Sequence, residues 1–312
     1  MAVRSPLEGL IAATFTPFLG DGSVDVEAIP PLVNFLEERP ISGLYVLGST
    51  GEGLSLTTEE RRRVAHGFVQ AAAGRLPVIV QVGCESLEAA RLLAAHAQEV
   101  GADAISAVSP VYFKPDTVQC LVDSMAHVAA GAPKLPFYYY HIPGATGLRI
   151  DPLEFLKLAS ERIPTLRGIK FTSPNVFDFQ ACVEFARDRF ELLWGVDEML
   201  LSGLVAGARA AVGSTYNYAA PIYQRLLESF DEGNLVEAGR QQSRSQLLVR
   251  TFVPYGPRAA QKAIMAMIGR DCGPTRLPIS PLDASSFDAL EQALSTIGFF
   301  DWISDQEEES SS

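Results

Sequence analysis

The chain has 312 residues, 47% of them hydrophobic, with 37 acidic against 25 basic side chains and a net charge of -12. That surplus of carboxylates argues against nucleic acid as a partner, since phosphates demand clustered Lys and Arg. No stretch reaches the ~18 uncharged apolar residues of a membrane span, so no membrane partner is expected.

Met1–Pro17 has a short apolar run broken early by proline and lacks the long core and small-residue cleavage site of a signal peptide. The four cysteines, Cys84, Cys120, Cys182 and Cys272, form no C-x-x-C pair. They read as reduced thiols, mostly buried, in a cytoplasmic enzyme.

In chain order, apolar and β-branched runs predict strands at Leu10–Thr16, Gly43–Thr50, Pro77–Gly83, Ala104–Pro110, Leu135–Ile142, Leu166–Thr172, Glu191–Asp197 and Arg209–Thr215. Helical patterns lie between them. Thr57 with Glu60 forms a capping box, and behind it Val64, Ala65, Phe68, Val69 and Ala72 share one helical face. Ser86 caps the next helix, which buries Ala90, Leu93, Ala94 and Ala97 and stops at Gly101. Eight strands alternating with helices suit an α/β fold of the (β/α)8 barrel type, typically ~250 residues, with a doubly wound open sheet as the alternative. Helical segments follow from Ile222 to about Ile268, then a Pro-rich stretch, Gly273–Pro281, and a last helix near Phe287–Ile297. The expected division is a barrel over 1–220, a helical extension over 221–300, and an acidic tail without fixed structure over 301–312.

A barrel of this kind carries its active site at the C-terminal ends of the strands. Those ends bring Ser49, Thr50, Tyr112, Tyr138, Tyr140, His141, Lys170, Thr172, Ser173, Asp197, Glu198, Ser214 and Thr215. In Leu166–Thr172, period-two alternation puts Gly168, Lys170 and Thr172 on one face and the bulky Ile169 and Phe171 on the other. Lys170 therefore points into the barrel, where desolvation lowers its pKa and frees the amine to attack a ketone. A strand lysine more commonly snorkels or pairs with a carboxylate. The inward direction, the small Gly168 and the polar company at the same rim favour the reactive reading.

On the fifth strand Tyr138 and Tyr140 share a face. Tyr140, nearest the rim, is the candidate for proton transfer, while Tyr138 and Tyr139 read as core. The turn Gly48–Gly53 offers backbone N–H groups and two hydroxyls to an anion such as a carboxylate, though it serves equally as a tight βα loop. His66, His96, His127 and His141 show no metal-ligand spacing, and Asp197-Glu198 lacks a third ligand, so no metal is expected.

With these residues in place the chain resembles the N-acetylneuraminate lyase and dihydrodipicolinate synthase superfamily over nearly its whole length. The motifs are GSTGEGLSLTTEER (48–61), YYYHIP (138–143), GIKFTS (168–173), WGVDE (194–198) and GSTYNY (213–218). YYYHIP, GVDE and GSTYNY look more like the animal lyases of that superfamily than its bacterial synthases.

The resemblance implies a class I aldolase that needs no cofactor and cleaves N-acetylneuraminate reversibly to N-acetylmannosamine and pyruvate. It makes Lys170 the Schiff-base residue and Tyr140 the proton-transfer residue. Ser49 and Thr50 would bind the substrate carboxylate, and Thr172, Gly195, Asp197, Glu198 and Ser214 the sugar polyol. Tyr112 aligns with a tyrosine that synthases donate across a subunit contact, which makes it a candidate proton relay, and a homotetramer is implied. Synthases carry an arginine two residues after the Y-x-x-P proline; Ala145 stands there instead, which disfavours dihydrodipicolinate synthesis. The alternatives are a sibling aldolase for another 2-oxo-3-deoxy sugar acid and a non-catalytic sugar-acid-binding barrel.

Overall fold

Each apolar run supplies one strand, and every strand ends before its run does. The structure, a computed structural model, describes residues 6–304. Its strands are β1 Gly9–Ala13, β2 Gly43–Val46, β3 Val78–Gln81, β4 Ala104–Val108, β5 Phe137–His141, β6 Leu166–Phe171, β7 Glu191–Trp194 and β8 Ala210–Gly213. Residues expected to extend them, including Thr50, Thr172, Asp197 and Thr215, leave the ladder at the rim.

The helices are α1 Ile29–Glu37, α2 Thr58–Ala72, α3 Leu87–Glu99, α4 Val118–Ala129, α5 Pro143–Thr146, α6 Pro152–Arg162, α7 Val176–Ala186, α8 Leu200–Val205, α9 Tyr216–Asp231, α10 Leu235–Phe252, α11 Pro257–Met267, α12 Ala284–Thr296 and α13 Phe299–Ile303. Both predicted caps form: Thr57 makes the full capping box on α2, and the Ser86 side chain accepts from Ala89 N at the start of α3.

All strand pairs are parallel, and β1 pairs with β8 as well as with β2, which closes the sheet into an eight-stranded barrel and rules out the open alternative. Closure divides the apolar residues into two layers. Ile11, Tyr45, Ile79, Tyr138, Tyr140, Leu193 and Val212 fill the lumen. Tyr139, Ile169, Phe171 and Trp194 face outward into the layer beneath the helices. Strand parity thus sorts Lys170 from its neighbours as expected. In the outer layer Phe171 stacks on Trp194 and meets Phe179 edge-on at 5.3 Å; such pairs add about 0.5–1.5 kcal/mol each beyond area burial.

Two expectations are corrected. Ordered helix continues past residue 300 through α13, because Phe299 is fully buried there and Arg225 donates to Trp302 O; the rest of the expected tail, 305–312, lies outside the described residues. All four cysteines are free, but only Cys182 and Cys272 are buried: Cys120 is exposed on α4 and Cys84 is half-buried at the barrel rim. Among the described residues no helix is long and apolar enough to cross a membrane.

Candidate active site

Tyr140 and Lys170 are direct register partners on neighbouring strands. Sharing inward parity, they meet inside the barrel. Lys170 is 3% exposed, and its Nζ lies 4.2 Å from the centre of the Tyr140 ring and 3.7 Å from that of Tyr45. The two rings meet edge-on at 5.7 Å, so the amine sits over an aromatic corner. Burial pushes the Lys170 ammonium below the usual lysine range; Tyr140 and Asp197 pull the other way, and the positive Arg258 adds to the depression. For Tyr140, burial alone would raise the phenol, but the charge of Lys170, the Ser49 hydrogen bond and Arg258 outweigh it and set the group below the ordinary tyrosine range. A lysine made easier to deprotonate beside a tyrosine made easier to ionise is an arrangement for amine nucleophilicity and proton transfer.

Above this pair lies the glycine-rich turn. Ser49 Oγ is 3.4 Å from the Tyr140 hydroxyl, and Thr50 is buried beside it. The turn is bracketed by two non-glycine residues in the left-handed region, Leu47 at φ 64° and Glu52 at φ 51°, a strain of the kind kept at functional sites. Gly53 permits the fold-back, since a Cβ there would sit 1.9 Å from Leu47 O. Glu52 anchors the turn from below. Its carboxylate pairs with buried Lys262 of α11 at 3.4 Å and accepts from Arg276 N at 2.9 Å. Lys262 also donates to Thr16 O and Pro274 O at 3.0 and 2.8 Å. Lys262 of α11 and Arg276 of the segment after it therefore hold the glycine-rich turn in place.

Opposite, the chain after β7 turns through a short 3-10 helix, Asp197–Met199. Asp197 is buried and accepts from Thr215 N at 2.9 Å and Thr215 Oγ1 at 2.6 Å. Burial raises its carboxyl to about 6, against the hydrogen bonds from Thr215. Gly213 makes room for it, because a Cβ there would lie 2.2 Å from Oδ1. Helix α10 supports the turn from behind: Gln242 and Gln246 donate to the carbonyls of Asp197 and Glu198 at 3.3 and 3.2 Å. Gly195, Asp197, Glu198 and Ser214 line one cavity of about 200 Å³. Thr172 stands at its edge, its hydroxyl buried without a partner among the described residues and close enough to Gly195 that a Cβ there would collide with it.

The structure thus gathers Lys170, Tyr140 and Ser49, with Thr50 next to Ser49, and sets Gly195, Asp197, Glu198 and Ser214 around a cavity, with Thr172 against Gly195. Tyr112 stands apart, 79% exposed on the loop after β4, its ring against Phe113 at 4.9 Å. Tyr138 points into the lumen but donates to Glu191 at 2.6 Å near the opposite end of the barrel. A larger cavity of about 980 Å³ opens at that end, where Glu191, one of three carboxylates lining it, is engaged by Tyr138 and Arg167. No group of three or more His, Cys, Asp or Glu comes together as metal ligands among the described residues.

Sequence reasoning missed Tyr45, whose run is apolar on both faces and whose place in the lumen beside Lys170 comes from the closed barrel. It also missed the Glu52–Lys262 pair, whose partners lie too far apart in the chain for any local pattern to join them.

The dihydrodipicolinate synthetase family model matches residues 6–297. The N-acetylneuraminate lyase of Homo sapiens is 41% identical over 301 residues, covering 95% of this chain and 94% of that protein. N-acetylneuraminate lyase A of Xenopus laevis is 44% identical over 277 residues, covering 88% and 90%. Among solved structures, the N-acetylneuraminate lyase of Proteus mirabilis superposes with a TM-score of 0.92 at 40% identity, covering 95% of this chain and all of that one.

Proposed function

The chain belongs to the dihydrodipicolinate synthetase family, and from that membership we propose that it cleaves N-acetylneuraminate to N-acetylmannosamine and pyruvate through a Schiff base on Lys170. The observation that carries this reading is the buried Lys170–Tyr140 register pair with its depressed ammonium and depressed phenol. Ser49 and Thr50 would hold the substrate carboxylate over that pair. Lys170 Nζ attacks the C2 ketone, and loss of water leaves an iminium. As the C3–C4 bond breaks, its electrons flow into the iminium to give an enamine, and the C4 hydroxyl proton passes to Tyr140. The aldehyde formed is N-acetylmannosamine. Protonation of the enamine at C3 and hydrolysis release pyruvate and restore the amine.

Thr172, Gly195, Asp197, Glu198 and Ser214 take the polyol in this reading. The barrel, 1–220, carries the chemistry, and the helical extension, 221–300, braces the mouth. The protein acts as a cytoplasmic homotetramer, and Tyr112, exposed beside Phe113, serves as a proton relay offered across a subunit contact.

The test has two arms. Incubation with pyruvate followed by borohydride should leave a mass adduct on Lys170, and pyruvate should be released from N-acetylneuraminate. No adduct removes the Schiff base; an adduct without turnover leaves an aldolase for another 2-oxo-3-deoxy sugar acid.

Asp197→Asn separates binding from stability. The folded carboxyl titrates near 6 against an unfolded value of 3.8, so the native state binds the extra proton between those values. Stability is therefore greater at low pH and falls as pH rises through that window. The asparagine variant should be more stable than the parent at pH 7.5, by up to about 3 kcal/mol, and the gain should vanish towards pH 4. Its kcat/KM should drop roughly 10- to 100-fold, the scale of a hydrogen bond to a charged group. Thermal melts across pH, with steady-state assays, check both halves.

A further inference from the structure

Helix α11 brings to the cavity a side chain that the mechanism leaves unused. Gln261 is only 3% exposed, and its Oε1 has no hydrogen-bond partner among the described residues. It lines the same cavity of about 200 Å³ as Asp197, Glu198 and Ser214. Pro257, one turn earlier on the same helical face, lines it too. A buried amide normally finds partners, and an orphaned one calls for an explanation. Every other buried glutamine side chain near the mouth has one: Gln242 holds Asp197 O, and Gln81 donates to Leu47 O.

Resting on the functional reading above, we infer that Gln261 is a specificity-determining residue that receives a hydroxyl or amide N–H from the aldehyde half of the substrate. An amide offers an acceptor and two donors side by side, which matches groups that both give and take hydrogen bonds. The carboxylates Asp197 and Glu198 on the same wall repel an anionic end. The group read there is therefore neutral and rich in hydroxyls or amide hydrogens. Because the contact lies beyond the carbon-carbon bond that breaks, Gln261 sorts acceptors by length and leaves Schiff-base formation alone.

Gln261→Leu tests this, since it keeps the volume and removes the orphaned polar atom. The melting temperature should hold or rise, because no protein hydrogen bond is lost. Borohydride trapping of pyruvate on Lys170 should match the parent. With N-acetylneuraminate kcat/KM should fall about tenfold, mainly through KM. With a six-carbon 2-oxo-3-deoxy sugar acid, which lacks the acyl amide and is too short to reach, it should change less than about twofold. Equal loss on both substrates, or none on either, overturns the inference while wild-type turnover preserves the functional reading. If the wild-type protein turns over neither acid, that reading falls and this inference with it.

Discussion

Lys170→Met is expected to abolish lyase turnover, by about 10⁴-fold or more, while leaving the barrel intact. In the proposed mechanism this amine forms the iminium that is the electron sink, and Lys262, the other buried lysine, is committed to Glu52 and to backbone carbonyls. Methionine fills the same space over the Tyr45 and Tyr140 rings without a charge. Removing a buried ammonium should raise stability by roughly 1–2 kcal/mol, as substitution at a functional site often does. The pH dependence fixes the sign. The folded pKa of Lys170 lies below the unfolded 10.5, so between them the unfolded state binds the extra proton and stability climbs as pH rises. The Met variant's advantage should therefore be full at low pH and disappear above the unfolded value. Steady-state assays, borohydride trapping and melts at several pH values check this. Turnover within a hundredfold of the parent would exclude Lys170 as the nucleophile.

Tyr140→Phe should lower kcat by about 10²- to 10⁴-fold, the usual worth of a positioned proton-transfer group, with a smaller change in KM. The ring stays beside Tyr45 and under Lys170, so packing survives, and what is lost is the hydroxyl with its contacts to Ser49 Oγ and to the Lys170 amine. Pyruvate trapping on Lys170 should persist, because Schiff-base formation precedes the bond cleavage that needs Tyr140. Its pH profile should shift to the acid side. Tyr140 supports the positive charge on Lys170, and without it the ammonium is depressed further. An alkaline shift, or a kcat within threefold of the parent, would remove Tyr140 from the proton path.

The Asp197–Glu198 turn shows how far the sequence reading extends. Both residues stand at the end of an apolar run, so strand logic alone brought them to the rim. What holds them there is Gln242 and Gln246 of α10, residues that a sequence reader sees only as polar positions on a helix. The same holds for Gln261. On a helical pattern it is one glutamine on an amphipathic helix, and its significance comes from the cavity it meets.

The inward direction of Lys170 and Tyr140 was determined by the sequence itself. Alternation along a strand is a local property of the backbone, and bulky apolar neighbours leave only one face for the lysine. Which residues meet across strands was a tertiary decision. The β5–β6 register seats Tyr140 beside Lys170, and closure of β1 on β8 excludes the open sheet. Contacts such as Glu52–Lys262 join residues hundreds of positions apart, and only the packed chain brings such charges together out of water.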